Sequence, residues 1–156
     1  MDTEQMIEAV RDFLDNDDWH YEFNAERQYI HMGVNLKCKL KKVRVFVDFK
    51  RHGYVVRCVP PLNADKENLA EIYKYTSMAN FALINGCFEI DSSDGEIAYR
   101  TFVPCENLPQ LSKEVIEDSI CVGCAMFDRY GDGFAALAMG FSDAETEIKK
   151  AEPDEE

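Results

Sequence analysis

A chain of 156 residues, 46% hydrophobic and 12% aromatic, has the length and composition of one globular domain, with little room for a second core. A fold of this size buries roughly 68–70% of the surface its unfolded chain exposes, so it needs no disulfide staple. The net charge of −13 opposes long-range attraction to nucleic acid, and no run approaches the ~18 apolar residues of a membrane span.

The charge is unevenly spread. Residues 1–18 carry seven acids and one base, residues 143–156 seven acids and two bases, and 19–142 are nearly neutral. Within that remainder, 37–57 hold eight Lys/Arg against the single Asp48. The acidic opening Met1-Asp2-Thr3-Glu4 is unlike a secretory signal, and the expectation is a cytoplasmic chain. In a reducing compartment Cys38, Cys58, Cys87, Cys105, Cys121 and Cys124 read mainly as small buried hydrophobes.

In chain order, the spacing of Met6, Ile7, Val10, Phe13 and Leu14 predicts an amphipathic helix capped by Asp2 or Thr3. Four strands follow. Trp19, Tyr21 and Phe23 alternate with polar residues, then Ile30, Met32 and Val34 within 28–34. Val43, Val45, Val47 and Phe49 share one face of the third, opposite Arg44, Phe46 and Asp48. The fourth, 54–59, ends at Pro60-Pro61, because proline has no backbone donor for the ladder.

A second helix is predicted over 65–84, with Leu69, Ile72, Tyr73, Thr76, Phe81 and Leu83 on its buried side and Asn85-Gly86 as its stop. A hairpin comes next, turning at Asp94-Gly95 between 87–90 and 96–103. Ile116, Ile120, Gly123, Phe127, Tyr130, Phe134, Leu137 and Phe141 recur at alternating spacings of four and three, which predicts one long helix bent or loosened near Gly131 and Gly133. Residues 143–156, rich in acid and poor in apolar side chains, read as a disordered tail behind a 1–142 domain. The order is α-β-β-β-β-α-β-β-α, an α+β fold with an antiparallel sheet and helices mainly on one face.

Several motifs fall short of a chemistry. Cys121-Val122-Gly123-Cys124 has the spacing of a redox pair or half a zinc site, but it lies inside a helix and away from the N-terminus that would lower a thiol pKa. Asp128 to Gly133 looks like the start of a calcium loop but places Tyr130 and Met139 where oxygen ligands belong. No histidine among His20, His31 and His52 is paired locally with a nucleophile, and no phosphate-cradling glycine loop is present. The basic strip of Lys37, Lys39, Lys41, Lys42, Arg44, Lys50, Arg51 and Arg57 suits nucleic acid, an acidic segment, or a charged sheet edge that resists aggregation.

The run Asn80 to Asp91, with Gly86-Cys87-Phe88-Glu89-Ile90-Asp91, followed by Asp94-Gly95-Glu96 and Tyr99-Arg100, resembles the YbjN-like proteins, labelled "putative bacterial sensory transduction regulator". The order of elements matches that family over about 3–142. Ser77 departs from it, since members often carry a second Asn one turn before the helix Asn. The resemblance implies a type III secretion chaperone-like fold, often dimeric, that binds peptide segments or partner proteins. Asn80, Gly86, Phe88, Asp91, Asp94, Gly95, Glu96 and Arg100 then read as fold determinants.

The expectation is therefore a non-enzyme without cofactor or metal that binds a protein or peptide, as a chaperone or regulator. Trp19, Tyr21, Arg44 and Phe46 are the candidate contact residues. The alternatives are a nucleic-acid-binding regulator using 37–57, or a metal or redox protein using Cys121 and Cys124.

Overall fold

In the computed structural model, which describes residues 1–154, helix α1 (Thr3–Asn16) begins with a reciprocal cap. The Asp2 carboxylate accepts the Gln5 N–H, and the Gln5 side chain accepts the Asp2 N–H, so two otherwise orphaned donors are satisfied. Met6, Val10, Phe13 and Leu14 of α1 are buried.

Six strands follow the alternation of the sequence: β1 (Glu22–Asn24), β2 (Tyr29–Asn35), β3 (Lys42–Lys50), β4 (Gly53–Val59), β5 (Cys87–Ile90) and β6 (Ile97–Pro104). They form one antiparallel sheet in the order β1-β2-β3-β4-β6-β5. The register places Val45 between Met32 and Cys58, and Val47 between Ile30 and Val56, so one face is continuously apolar. Against that face pack α1, a short 3-10 turn (Lys66–Asn68) leading into α2 (Leu69–Asn80), and the long α3 (Lys113–Ala138). This is the expected α+β architecture.

Several boundaries move. Trp19 and Tyr21 precede β1. Helix α2 stops at Asn80, not near Ile84, because Phe81 turns to extended backbone; Phe81 is 83% exposed and Gly86 is not the helix stop. Gly86 instead takes φ +82° in the loop entering β5. Helix α3 ends at Ala138, which leaves Phe141 exposed.

The glycines of α3 do not break it. A Cβ at Gly133 would lie 2.2 Å from the Tyr75 hydroxyl, so that glycine serves the close approach of α2. Tyr75 uses the space to donate to the Tyr130 carbonyl at 2.8 Å.

The expectation of a disordered tail is corrected for 144–151, which form helix α4 (Ala144–Ala151). Asp143 caps it by accepting the Thr146 N–H at 2.8 Å, Glu71 accepts the Ala144 N–H, and Ala144 and Ile148 are buried. Ala144, Ile148 and Ala151 stand at i, i+4 and i+7, enough of an apolar stripe to dock on α2 and α3. The last two residues of the predicted tail lie outside the described residues.

Candidate functional site: the open face of the sheet

With helices on one side, the even positions of β3 point to the other, which no helix covers among the described residues. The register aligns His31, Phe46, Arg57 and Arg100 in one row across β2, β3, β4 and β6. It also sets Gly33 beside Arg44 and Arg44 beside Val59.

Phe46 sits at the centre of an aromatic group, with the His31 ring stacked at 6.2 Å and Tyr29 at 6.4 Å. The Arg44 guanidinium lies 5.0 Å above the Phe46 ring, a cation–π contact that holds a charge over an apolar floor. Gly33 leaves open space beside Arg44, since a Cβ there would meet nothing within 4 Å. The result is a groove of 690 Å³ lined by His31, Gly33, Arg44, Phe46, Arg57 and Pro60 among others.

One wall, at Arg57 and Glu96, is backed by an ion network that runs on to Glu89 and Arg100 beside the groove. Arg57 donates from Nε to Glu89 at 3.0 Å and from Nη2 to Glu96 at 2.8 Å, and Arg100 reaches Glu89 at 3.1 Å. Burial works against the Arg57 charge, but the bonds to Glu96 and Glu89 outweigh it and hold its pKa above the ordinary value. The opposite wall carries Lys42 and Arg44, which have no carboxylate in ion-pair range among the described residues. The groove therefore offers an aromatic floor, one neutralised wall and one wall of unpaired cations.

Of the candidate contact residues, the structure brings Arg44 and Phe46 together but leaves Trp19 and Tyr21 apart from them. Strand alternation explains the separation. Glu22 faces the groove side, where it pairs with His31 at 2.9 Å, so Phe23 falls on the α1 side. Tyr21 shares that side: its hydroxyl donates to Asp15 at 2.8 Å and accepts from Arg11. Trp19 donates to Asp17 and packs against the core. Sequence reasoning missed Tyr29, His31, Gly33 and the Glu89–Glu96 wall, which only the register assembles.

The basic strip does not form one patch. Lys42 and Lys50 lie at opposite ends of β3, about 26 Å apart at 3.3 Å per residue. Lys50 pairs with Asp48, and Arg57 is engaged by Glu89 and Glu96. Asp128 and Asp132 of α3 accept the backbone N–H groups of Lys37, Cys38 and Lys39. That is the work of the segment that resembled a calcium loop.

The motif residues are distributed by task. Phe88 is buried among Tyr99, Phe127, Tyr130 and Phe134. Asp91 accepts from Ser93, Asp94 accepts the Glu96 N–H, and Gly95 takes φ +75° against Ala64. Glu96 and Arg100 face the open side. Cys121 and Cys124 are half-buried, more than two turns into α3. Among the described residues no group of three or more His, Cys, Asp or Glu side chains is placed to hold a metal ion.

No protein-family profile matches this chain, and no curated protein does. Solved structures do match it. YbjN from E. coli, described as a "putative transcription regulator", aligns at TM-score 0.59 and 8% identity over 86% of this chain and 92% of that one. The fold is YbjN-like and type III secretion chaperone-like. A chain of the HopA1-SchA chaperone-effector complex aligns at TM-score 0.55 and 12% identity, covering 86% of this chain and 97% of its own. The ExsC-ExsE complex gives TM-score 0.49 at 13% identity, over 83% and 96% of the two chains.

Proposed function

We propose that this chain is a non-catalytic, cytoplasmic binding domain, chaperone-like or regulatory, whose open sheet face takes an extended segment of a protein partner. The observation that carries the reading is the groove at Arg44 and Phe46. It is a concave apolar floor with unpaired cations, on a face that no helix covers among the described residues. Aromatic and Arg side chains in such a setting are the usual anchors of protein interfaces.

Charge complementarity selects the segment. Lys42 and Arg44 favour a partner with acidic side chains flanking an apolar or aromatic one. The fold likeness to a chain of a chaperone–effector complex supports a protein ligand, and the resemblance to a family that is often dimeric adds a homodimer to this proposal.

Nucleic acid fits less well. Its phosphates need a continuous run of cations, whereas the cations here divide between the two ends of β3. The Cys121/Cys124 metal reading lacks further ligands among the described residues.

The test is capture of the tagged protein and an Arg44→Glu variant from its native host, with mass spectrometry of the bound material. One stoichiometric protein retained by the wild type and lost by the variant supports the reading. Recovery of nucleic acid alone, or of the bait alone, opposes it.

A further inference from the structure

Gly33 is a glycine that the fold itself does not account for. At each of the other seven an added Cβ would come within 3.3 Å of a neighbouring atom. At Gly33 it would meet nothing within 4 Å among the described residues, and the φ there is not positive. A glycine inside a strand loses backbone entropy on folding and gives nothing to pack. Where neither contact nor conformation calls for it, the use left to it is close approach by another molecule.

The ladder sets that gap beside a charge. The Leu36 N–H donates to the Lys41 carbonyl and the Phe49 N–H to the Gln28 carbonyl, so along 28–36 the even residues exchange hydrogen bonds with the strand opposite. Gly33 and Arg44 are a pair of the other kind, with Cα atoms about 4.5 Å apart and both side-chain positions on the open face. The N–H and carbonyl of Gly33 point away from β3, to an edge that β1 does not cover, because its last pair is Glu22 with His31. Gly33 and Arg44 are both exposed. The Arg44 guanidinium lies over the Phe46 ring and has no carboxylate in ion-pair range among the described residues, which leaves its edge donors available to one.

We propose that Gly33 is the specificity-determining position of the groove: an acidic side chain of the partner segment fills the space above it and pairs with Arg44, two residues from an apolar side chain that rests on Phe46. This rests on the reading of the groove as a segment-binding site. Gly33 and His31 are two residues apart on β2, as Arg44 and Phe46 are on β3, which is about 6.6 Å at 3.3 Å per residue. An extended peptide lying along the two strands repeats its own side chains at that interval. The segment therefore reads acid-x-apolar, in either direction. Any larger side chain at position 33 would occupy the place of the acid.

The test selects a displayed library of random peptides on the full wild-type chain, on Gly33→Val and on Arg44→Glu. The wild type is expected to enrich peptides with Asp or Glu two residues from a large apolar residue. Gly33→Val is expected to keep its thermal midpoint, since the Cβ has open space and valine favours strands, and to lose that enrichment. Arg44→Glu, with Gly33 in place, is expected to exchange the acid for Lys or Arg at the same spacing. If Gly33→Val enriches the same peptides as the wild type while Arg44→Glu loses them, the role of Gly33 is overturned and the groove reading stands. Wild-type peptides without an acid at that spacing, or a lowered midpoint for Gly33→Val, overturn the role as well. No enrichment by the wild type overturns the groove reading and this inference together.

Discussion

Asn80 closes the outer edge of β5 by bonding both backbone groups of Phe88. Its side-chain carbonyl accepts the Phe88 N–H at 2.7 Å, and its amide donates to the Phe88 carbonyl at 3.0 Å. One side chain thus does for an edge strand what a neighbouring strand would do, and the edge is less open to another chain there. The same bonds tie the end of α2 to β5 and fix where the helix stops.

Removing that clamp leaves a donor and an acceptor of β5 unpaired. Asn80→Ala is expected to cost about 1–3 kcal/mol, the range for stranding partly buried polar groups. Equilibrium urea unfolding checks it. An unchanged midpoint with an unchanged slope would show that water replaces the asparagine without penalty.

Gly133→Ala sets two effects against each other. Alanine gains about 1 kcal/mol of helix propensity. Its methyl, however, overlaps the Tyr75 hydroxyl, which is packed edge-on against Phe134 and donates to Tyr130. Overpacking and a strained buried hydrogen bond together cost more, so a net loss of about 2 kcal/mol is expected. The Tyr75 Cζ would also lie 2.5 Å from the added Cβ, so a Tyr75→Leu background, which removes both atoms, is where the loss should shrink. Equal losses in the two backgrounds would refute the overlap.

Thr76 offers a change in the opposite direction. Its hydroxyl is buried and has no hydrogen-bond partner among the described residues. Thr76→Val keeps the shape and removes the stranded group, and stability is expected to rise by about 1 kcal/mol. A fall in the thermal midpoint would mean that the hydroxyl is satisfied in solution.

Acid should loosen α4 before the rest of the fold. Asp143, bonded to the Thr146 backbone N–H and then its side chain, has a folded pKa below the ordinary 3.8. Glu145, bonded to Lys74, lies below 4.5. Depressed carboxylates contribute stability above their unfolded values and lose it as pH falls through the folded ones. Amide exchange of 144–151, measured stepwise below pH of about 4, should therefore lose protection ahead of α3. Asp143→Asn, which keeps an acceptor but no charge, should flatten that dependence. Parallel loss in α3 and α4 would contradict the account.

Much of the fold was legible because its signals are local. Apolar alternation marked β3 and β4, the Asp2 cap and the stripe through Leu14 marked α1, and Asp94-Gly95 marked the hairpin. What stayed hidden depended on register or on partners distant in sequence. Phe46 stood out as a large apolar group on the wrong side of its strand, but His31 and Arg57 reach it only through pairing of three strands. Tyr21 was misplaced because β1 is three residues long and its facing is set by Glu22 and His31. Helix α4 was lost to composition: seven acids masked the stripe of Ala144, Ile148 and Ala151, whose burial surface is supplied by α2 and α3.

The most direct measurement of the central claim places a photoreactive phenylalanine analogue at Phe46, and separately at Glu114 on α3, in the native host. Cross-linking from Phe46 to one protein partner, through a segment with acidic side chains, and none from Glu114 is the predicted result. Equal cross-linking from both positions, or none from Phe46 while a partner still co-purifies, would place binding elsewhere and contradict the account.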